Sequence, residues 1–299
     1  MAGSQIEITA AQPWTAPSSA ALNAVVHFAR RKPIGAVSAL LIVLMVAVAV
    51  TGQWIAPYQY DTLDIPARLN SPSLTHLAGT DAQGRDVFSR VIFGANTSVL
   101  IGFGAVIVST IIASVIGVIS GYKSGWFDTV VQRFVDVWQA FPGLIFVIFL
   151  VAILGASRLT LILTMGLLFS AGTSRLIRSA TIAISSESFI EAARSLGARD
   201  TRIWLRHIMP NIVPIIIVSM SLRIGAAIIL ESSLSFLGYG TPPPFPSWGR
   251  MLQEAQPQMT EHPYLALVPG IAIALTVYSF NMFGDALRDV LDPRLRGSR

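Results

Sequence analysis

Long apolar runs alternate with short polar segments along the chain, and six of the runs are long enough to cross a bilayer: roughly 34–56, 97–121, 134–155, 159–180, 211–238 and 264–284. A spanning helix needs about 20 predominantly apolar residues. None of the six shows the two-residue alternation of barrel strands, and backbone groups inside hydrocarbon must bond within their own segment. The pattern therefore predicts an all-α integral membrane protein with six transmembrane helices. It divides the chain into a polar tail (1–33), a first span (34–56), a long outer loop (57–96), a five-helix body (97–284) and a second tail (285–299). The first run follows basic residues, as a signal peptide would, but its length and the tail ahead of it favour a retained span.

Composition agrees with this picture. The 299 residues are 53% hydrophobic and 12% charged, with a mean hydropathy of +0.63, outside the range of soluble domains. The net charge of +5 falls in short loops between apolar runs, so it bears on membrane orientation rather than on nucleic acid. Arg30 to Lys32, Lys123 and Arg133, the arginines from Arg175 to Arg206, and Arg288 to Arg299 collect on one side. Only Arg68, Arg85, Arg90, Arg158 and Arg250 fall on the other. The cation-rich side is expected in the cytoplasm, with both termini.

The chemistry the chain lacks is equally informative. Without cysteine there is no disulfide, thiolate nucleophile or thiolate metal site. The two lysines, Lys32 and Lys123, do not sit in a phosphate-cradling loop, and there is no HExxH helix or nucleophile elbow. His27, His76, His207 and His262 are scattered over both sides. No catalytic residue, metal site or cofactor of the chain's own is expected, and energy for any uphill process has to come from partners.

Between the fourth and fifth runs lies a polar island, "EAARSLGARDTRIWLRHIMP", residues 191–210. Glu191, Ala192 and Ala193 favour helix, Gly197 should end it, a second short helix carries Ile203, Trp204 and Leu205, and Pro210 introduces the next span. Helix physics leaves two readings open. Either the island docks a partner, with small alanines allowing close approach and Glu191 and the arginines offering ion pairs, or it lies on the headgroups as an amphipathic connector.

The spacing of this island resembles the coupling motif of permease subunits of ATP-binding-cassette importers: Glu-Ala-Ala, three residues, Gly, nine residues, then a four-residue element ending in Pro. His207 and Met209 depart from the usual Ile and Leu of that last element. "HLAGTDAQGRDVFSRVIFGANTS" (76–98), "LSFLGYGTPPPFPSWGRML" (234–252) and "GDALRDVLDPRLR" (284–296) are similar to signatures of the second permease subunit of the dipeptide, oligopeptide and nickel importers. That resemblance implies a type I ABC importer permease fold in a bacterial inner membrane. It also implies helices at 187–208 that couple to an ATPase through Glu191, Ala192, Ala193, Arg194, Gly197, Ala198, Arg202 and Pro210. The implied partners are a homologous permease, two ATPase subunits that bind ATP and Mg, and an extracytoplasmic substrate-binding protein. The competing class, a secondary transporter or channel, needs mid-membrane coupling carboxylates and often an internal repeat, which are not evident.

Outside the island, Asp86 is placed to cap an interfacial helix leading into the second span, with Arg90 as its ion-pair partner. "GTPPPFPSWG" (240–249) must be extended and stiff, and either plugs the bundle mouth or meets the binding protein. Contacts with that protein are expected at Asp81, Arg85, Asp86, Pro244 and Trp248. Arg223 and Glu231 lie within the fifth span, eight residues or about 12 Å apart, so they are either an interhelical lock or part of the transport pathway. Glu231 is the more attractive pathway residue if the solute carries amines or metal. Asp136 reads as an interhelical or interfacial anchor. Pro142, Pro214 and Pro269 should bend their spans.

Overall fold

The computed structural model describes residue 26 and residues 28–291; most of the predicted first tail (1–33) and the end of the second (285–299) lie outside them. The described residues are helical, with no strand, and the only ladder-like pairing is one bridge between Thr80 and Asp86.

Helix α1 (Pro33–Ile55) opens on a proline in its first turn, where the missing N–H costs nothing. Gly35 lets it approach the last helix, where an added Cβ would sit 2.3 Å from that of Ala286, and a Cβ on Gly52 would sit 3.0 Å from Ile92 Cγ2. Lys32 Nζ meets Asp289 at 2.5 Å at the foot of α10.

After an irregular segment containing a short 3-10 turn (Ile65–Ala67), α2 runs from Val87 to Lys123 without a break. Its 37 residues rise about 55 Å, well beyond a hydrocarbon core of about 30 Å. The predicted interfacial helix and second span are thus one rod rather than two elements.

The predicted third span (134–155) is the main correction. It divides into α3 (Gly125–Gln139) and α4 (Gly143–Leu154), which meet at 84°. Pro142, expected only to bend this span, lies at the break as the cap residue of α4. A pyrrolidine ring cannot supply the next helical N–H and disfavours α geometry in the preceding residue. The 12 residues of α4 rise only about 18 Å. Among the described residues five helices are long and apolar enough to cross a bilayer singly, and α3 with α4 together make a sixth, broken element.

α5 (Arg158–Ser185) starts at Ser157, whose hydroxyl accepts the Thr160 N–H at 3.0 Å. It packs closely on α2 through small residues. A Cβ on Gly117 would sit 2.7 Å from the Ser174 carbonyl oxygen, and one on Gly166 would sit 2.7 Å from Val108 Cγ1. This close approach substitutes van der Waals contact for the hydrophobic driving force that lipid removes.

α6 (Ser188–Ser195) and α7 (Asp200–Ile203) form the island, and α7 continues through a π turn (Trp204–Ile208) into α8 (Met209–Phe236). The Met209 N–H reaches back to the Trp204 carbonyl. The wider turn precedes Pro210, which lacks the donor for an ordinary helical bond and crowds the carbonyl four residues back. Pro214 is accommodated within α8 and Pro269 within α10, with neither helix divided. A short α9 (Trp248–Ala255) and the long α10 (Tyr264–Leu291) complete the bundle.

Candidate functional site

The island is built outward from one buried side chain. Ile190 is fully enclosed with Ile203, Ile208 and Ile212, which pins α6 and α7 to the foot of α8. With Ile190 inward, Glu191, Ala192 and Arg194 are exposed and Ala193 is half-buried. α6 ends as expected: Gly197 adopts φ +78°, its N–H donates to the Arg194 carbonyl at 2.9 Å, and the Ala198 N–H donates to the Ala193 carbonyl at 3.0 Å. These two bonds satisfy orphan carbonyls in the manner of a Schellman cap, which needs left-handed backbone and hence glycine.

Beyond the cap Ala198 is half-buried, while Arg202 and Pro210 are exposed. Leu196 is 88% exposed and Leu205 73%. Among the described residues Glu191, Arg199, Arg202 and Arg206 have no ion pair. The island therefore presents two bare leucines, a free carboxylate and free guanidinium groups on a rigid base.

A residue absent from the sequence-level site ties this island to the bundle. Tyr122, in the last turn of α2, donates its hydroxyl to Asp200 Oδ1 at 2.9 Å and accepts from Arg194 Nε at 3.3 Å. The Arg194 guanidinium stands 4.7 Å over its ring, and Trp204 packs edge-on with ring centroids 5.6 Å apart. Nearby, Asp128 of α3 accepts from Arg178 Nε of α5 at 2.6 Å and also from Ser120 of α2. Asp136 holds Arg175, as expected of an anchor between helices.

At the opposite end, the predicted pair Asp86 and Arg90 does not form. Asp86 caps α2, accepting the Ser89 N–H at 2.7 Å, and its other oxygen meets His76 Nδ1 at 2.9 Å. With both oxygens engaged, Arg90 extends instead to Asp81 at 2.8 Å and to Glu254 of α9 at 2.9 Å. Arg85 binds the same two carboxylates, and Arg250 completes the network on Glu254. Asp81 and Arg85 are half-buried, whereas Asp86 is only 3% exposed.

Trp248 is also enclosed, at 1% exposed, with Nε1 donating to the Val91 carbonyl at 3.0 Å. Asp86 and Trp248 are therefore structural rather than available to a docking protein. Pro244 remains exposed beside Phe245, whose ring stacks with Tyr60 and lies under the Arg158 guanidinium.

The two charges within α8 have different surroundings. Glu231 is fully buried, accepts the Ser235 hydroxyl at 2.7 Å, and has Ser98 of α2 and Ser247 beside it. Of the two readings the sequence leaves open, lock or pathway, this burial fits the interhelical lock. Arg223 is half-buried, reaches toward Gly172 in the middle of α5, and lines a cavity of about 630 Å³ between α5, α8 and α10.

Comparison with known proteins agrees with this architecture. Residues 113–297 match the family of binding-protein-dependent transport system inner membrane components. Residues 25–72 match the N-terminal transmembrane domain of oligopeptide transport permease C. The glutathione transport system permease protein GsiD of Escherichia coli O6:K15:H31 is 43% identical over 274 residues, covering 90% of this chain and 89% of the relative. The Shigella boydii protein of the same name matches equally well. A chain of the MetNI methionine ABC transporter in an inward-facing conformation superposes with a TM-score of 0.57 at 15% identity, covering 68% of this chain and 96% of that one, a likeness of fold alone. The chain belongs to the family of binding-protein-dependent transport system inner membrane components, as a multi-pass inner-membrane permease subunit of an ABC importer in which ATP hydrolysis falls to partner subunits.

Proposed function

We propose that the α6–α7 island is the socket for a cytoplasmic ATPase subunit, and that Glu191, Ala192, Ala193, Arg194, Gly197, Ala198, Arg202 and Pro210 form or position its contact surface. The observation that carries this reading is the exposure of Leu196 and Leu205 beside the unpaired Glu191 on a base held by Ile190. Exposed apolar groups rimmed by charge are what a docking partner covers. The cation-rich end then lies in the cytoplasm with both termini.

In this reading the subunit pairs with a homologous permease, takes solute from an extracytoplasmic binding protein at the end bearing Pro244, Asp81 and Arg85, and moves peptides or a similar small solute. The names of the matched relatives, oligopeptide and glutathione transport permeases, support that cargo class. ATP-driven displacement of α6 and α7 would pass through Tyr122 into α2 and through the π turn into α8.

The test is co-purification of the detergent-solubilised chain with its candidate ATPases, wild type beside a Glu191→Arg, Gly197→Pro double variant whose insertion is verified. Capture by wild type and loss from the variant is expected. Absence of any ATPase, together with solute movement by the chain alone in liposomes, would replace this reading with a secondary transporter.

A further inference from the structure

We infer that the cavity between α5, α8 and α10 is a waypoint for a carboxylate on the travelling solute, with Arg223 as the group that receives it. This rests on the permease reading above and adds the charge of the cargo. The cavity holds about 630 Å³, within the range that encloses a small ligand. Its walls include Leu176, Pro214, Val218 and Leu222. The charged side chains lining it are Arg223 and Arg288, and no carboxylate is among them.

Most other enclosed cations of the bundle have carboxylate partners: Arg178 has Asp128, and Arg85, Arg90 and Arg250 share Asp81 and Glu254. Among the described residues Arg223 has none. A guanidinium within a span is expensive unless it is wetted or meets an anion. The cavity allows both.

Depth selects the anion's source. Arg288 stands near the end of α10, at the mouth, whereas Arg223 lies nine residues beyond Pro214, about 14 Å further along α8. A lipid phosphate stays at headgroup level near Arg288. A carboxylate on a solute in transit can go on to Arg223. With Glu231 sealed among serines, the charge facing this cavity is positive, which reverses the preference for amines or metal suggested by the sequence. Two cations along a largely apolar cleft concentrate anions by their combined field.

The chain is naturally free of cysteine, so Ser219→Cys, on the cavity wall one turn from Arg223, introduces a unique thiol in this subunit. Its labelling rates with an anionic (sulfonatoethyl) and a cationic (trimethylammonioethyl) methanethiosulfonate would be compared in the purified complex in phosphatidylcholine nanodiscs. Ala226→Cys, on the same wall, is the second reporter should the first disturb folding. The anionic reagent is expected to be favoured, Arg223→Gln to lower the anionic-to-cationic ratio by about tenfold or more, and Arg223→Lys to keep it. Trialanine is expected to slow labelling more than trialanine amide. A ratio indifferent to Arg223→Gln overturns the inference, as does protection by phosphatidylglycerol with none by trialanine. Labelling does not depend on ATPase docking: an indifferent ratio with ATPases still captured leaves the permease reading intact, and a preserved ratio with no capture removes only the docking reading.

Discussion

The hydroxyl of Tyr122 lies 2.9 Å from Asp200 Oδ1, joining the foot of the longest helix in the bundle to the first residue of α7. The same hydroxyl takes the Arg194 Nε hydrogen bond, so one phenol holds both short helices of the island. Tyr122→Phe keeps the contact with Trp204 and the guanidinium stacking but removes both hydrogen bonds, each worth about 1 kcal/mol. Thermal stability should change little. ATP hydrolysis by the reconstituted importer should persist while solute uptake per ATP falls several-fold, measured side by side in proteoliposomes. Unchanged uptake per ATP would show that Tyr122 does not transmit motion.

Gly197→Ala isolates the backbone requirement of the cap. No atom beyond its chain neighbours lies within 4 Å of the position its Cβ would take, so the φ of +78° is the relevant obstacle. Left-handed backbone costs an L-residue roughly 1 to 2 kcal/mol. Hydrogen exchange at the 197 and 198 amides should speed up by about tenfold, the equivalent of about 1.4 kcal/mol, and ATPase capture should weaken. Gly197→Pro should be worse, because it also deletes the N–H that donates to Arg194.

Glu231 tests the distinction between lock and pathway. Glu231→Gln retains an acceptor for Ser235 and should be nearly silent in transport and melting temperature. Glu231→Ala leaves buried serine hydroxyls without their acceptor and opens a void, and should destabilise by about 2 to 4 kcal/mol, seen as a lower melting temperature in detergent. Loss of transport in the Gln variant with an unchanged melting temperature would return Glu231 to the pathway.

Glu254 is the shared acceptor of Arg85, Arg90 and Arg250. Arg90 is 2% exposed and keeps Asp81 when Glu254 is removed, so Glu254→Ala should cost about 1 to 3 kcal/mol rather than the full penalty of an orphaned buried charge. Differential scanning of the variant, with proteolysis of the 56–86 segment, measures the loss. The segment should become cleavable before the bundle melts.

What the sequence disclosed was whatever local pattern decides. The apolar runs gave the spans, and the Ala-rich turn before Gly197 gave α6 with its cap, because both depend on neighbours within a few residues. Pro142 was visible, yet the size of the bend was not, since hydropathy is the same for a straight span and a broken one. Asp86 and Arg90 had the spacing of a helix pair, but Glu254, more than 160 residues away, competes for the arginine. Tyr122 was missed for the same reason: its partners Arg194 and Asp200 are more than 70 residues along the chain, and an isolated tyrosine at the end of an apolar run carries no signal. Glu231 was recognisable as a costly charge, but whether serines or water surround it depends on α2 and the Pro loop as much as on α8.

The unbroken length of α2 has a mechanical meaning. Its foot is held by the island through Tyr122 and its head by Asp81 and Glu254 through Arg90, so the two ends of one stiff beam are fastened on opposite faces of the membrane. A beam of about 55 Å tilting by about 10° around its middle carries its ends roughly 5 Å in opposite directions. Such a seesaw needs no relay of side chains to report one face to the other: any displacement imposed at the island is, by rigidity alone, an opposed displacement at the far end of the beam.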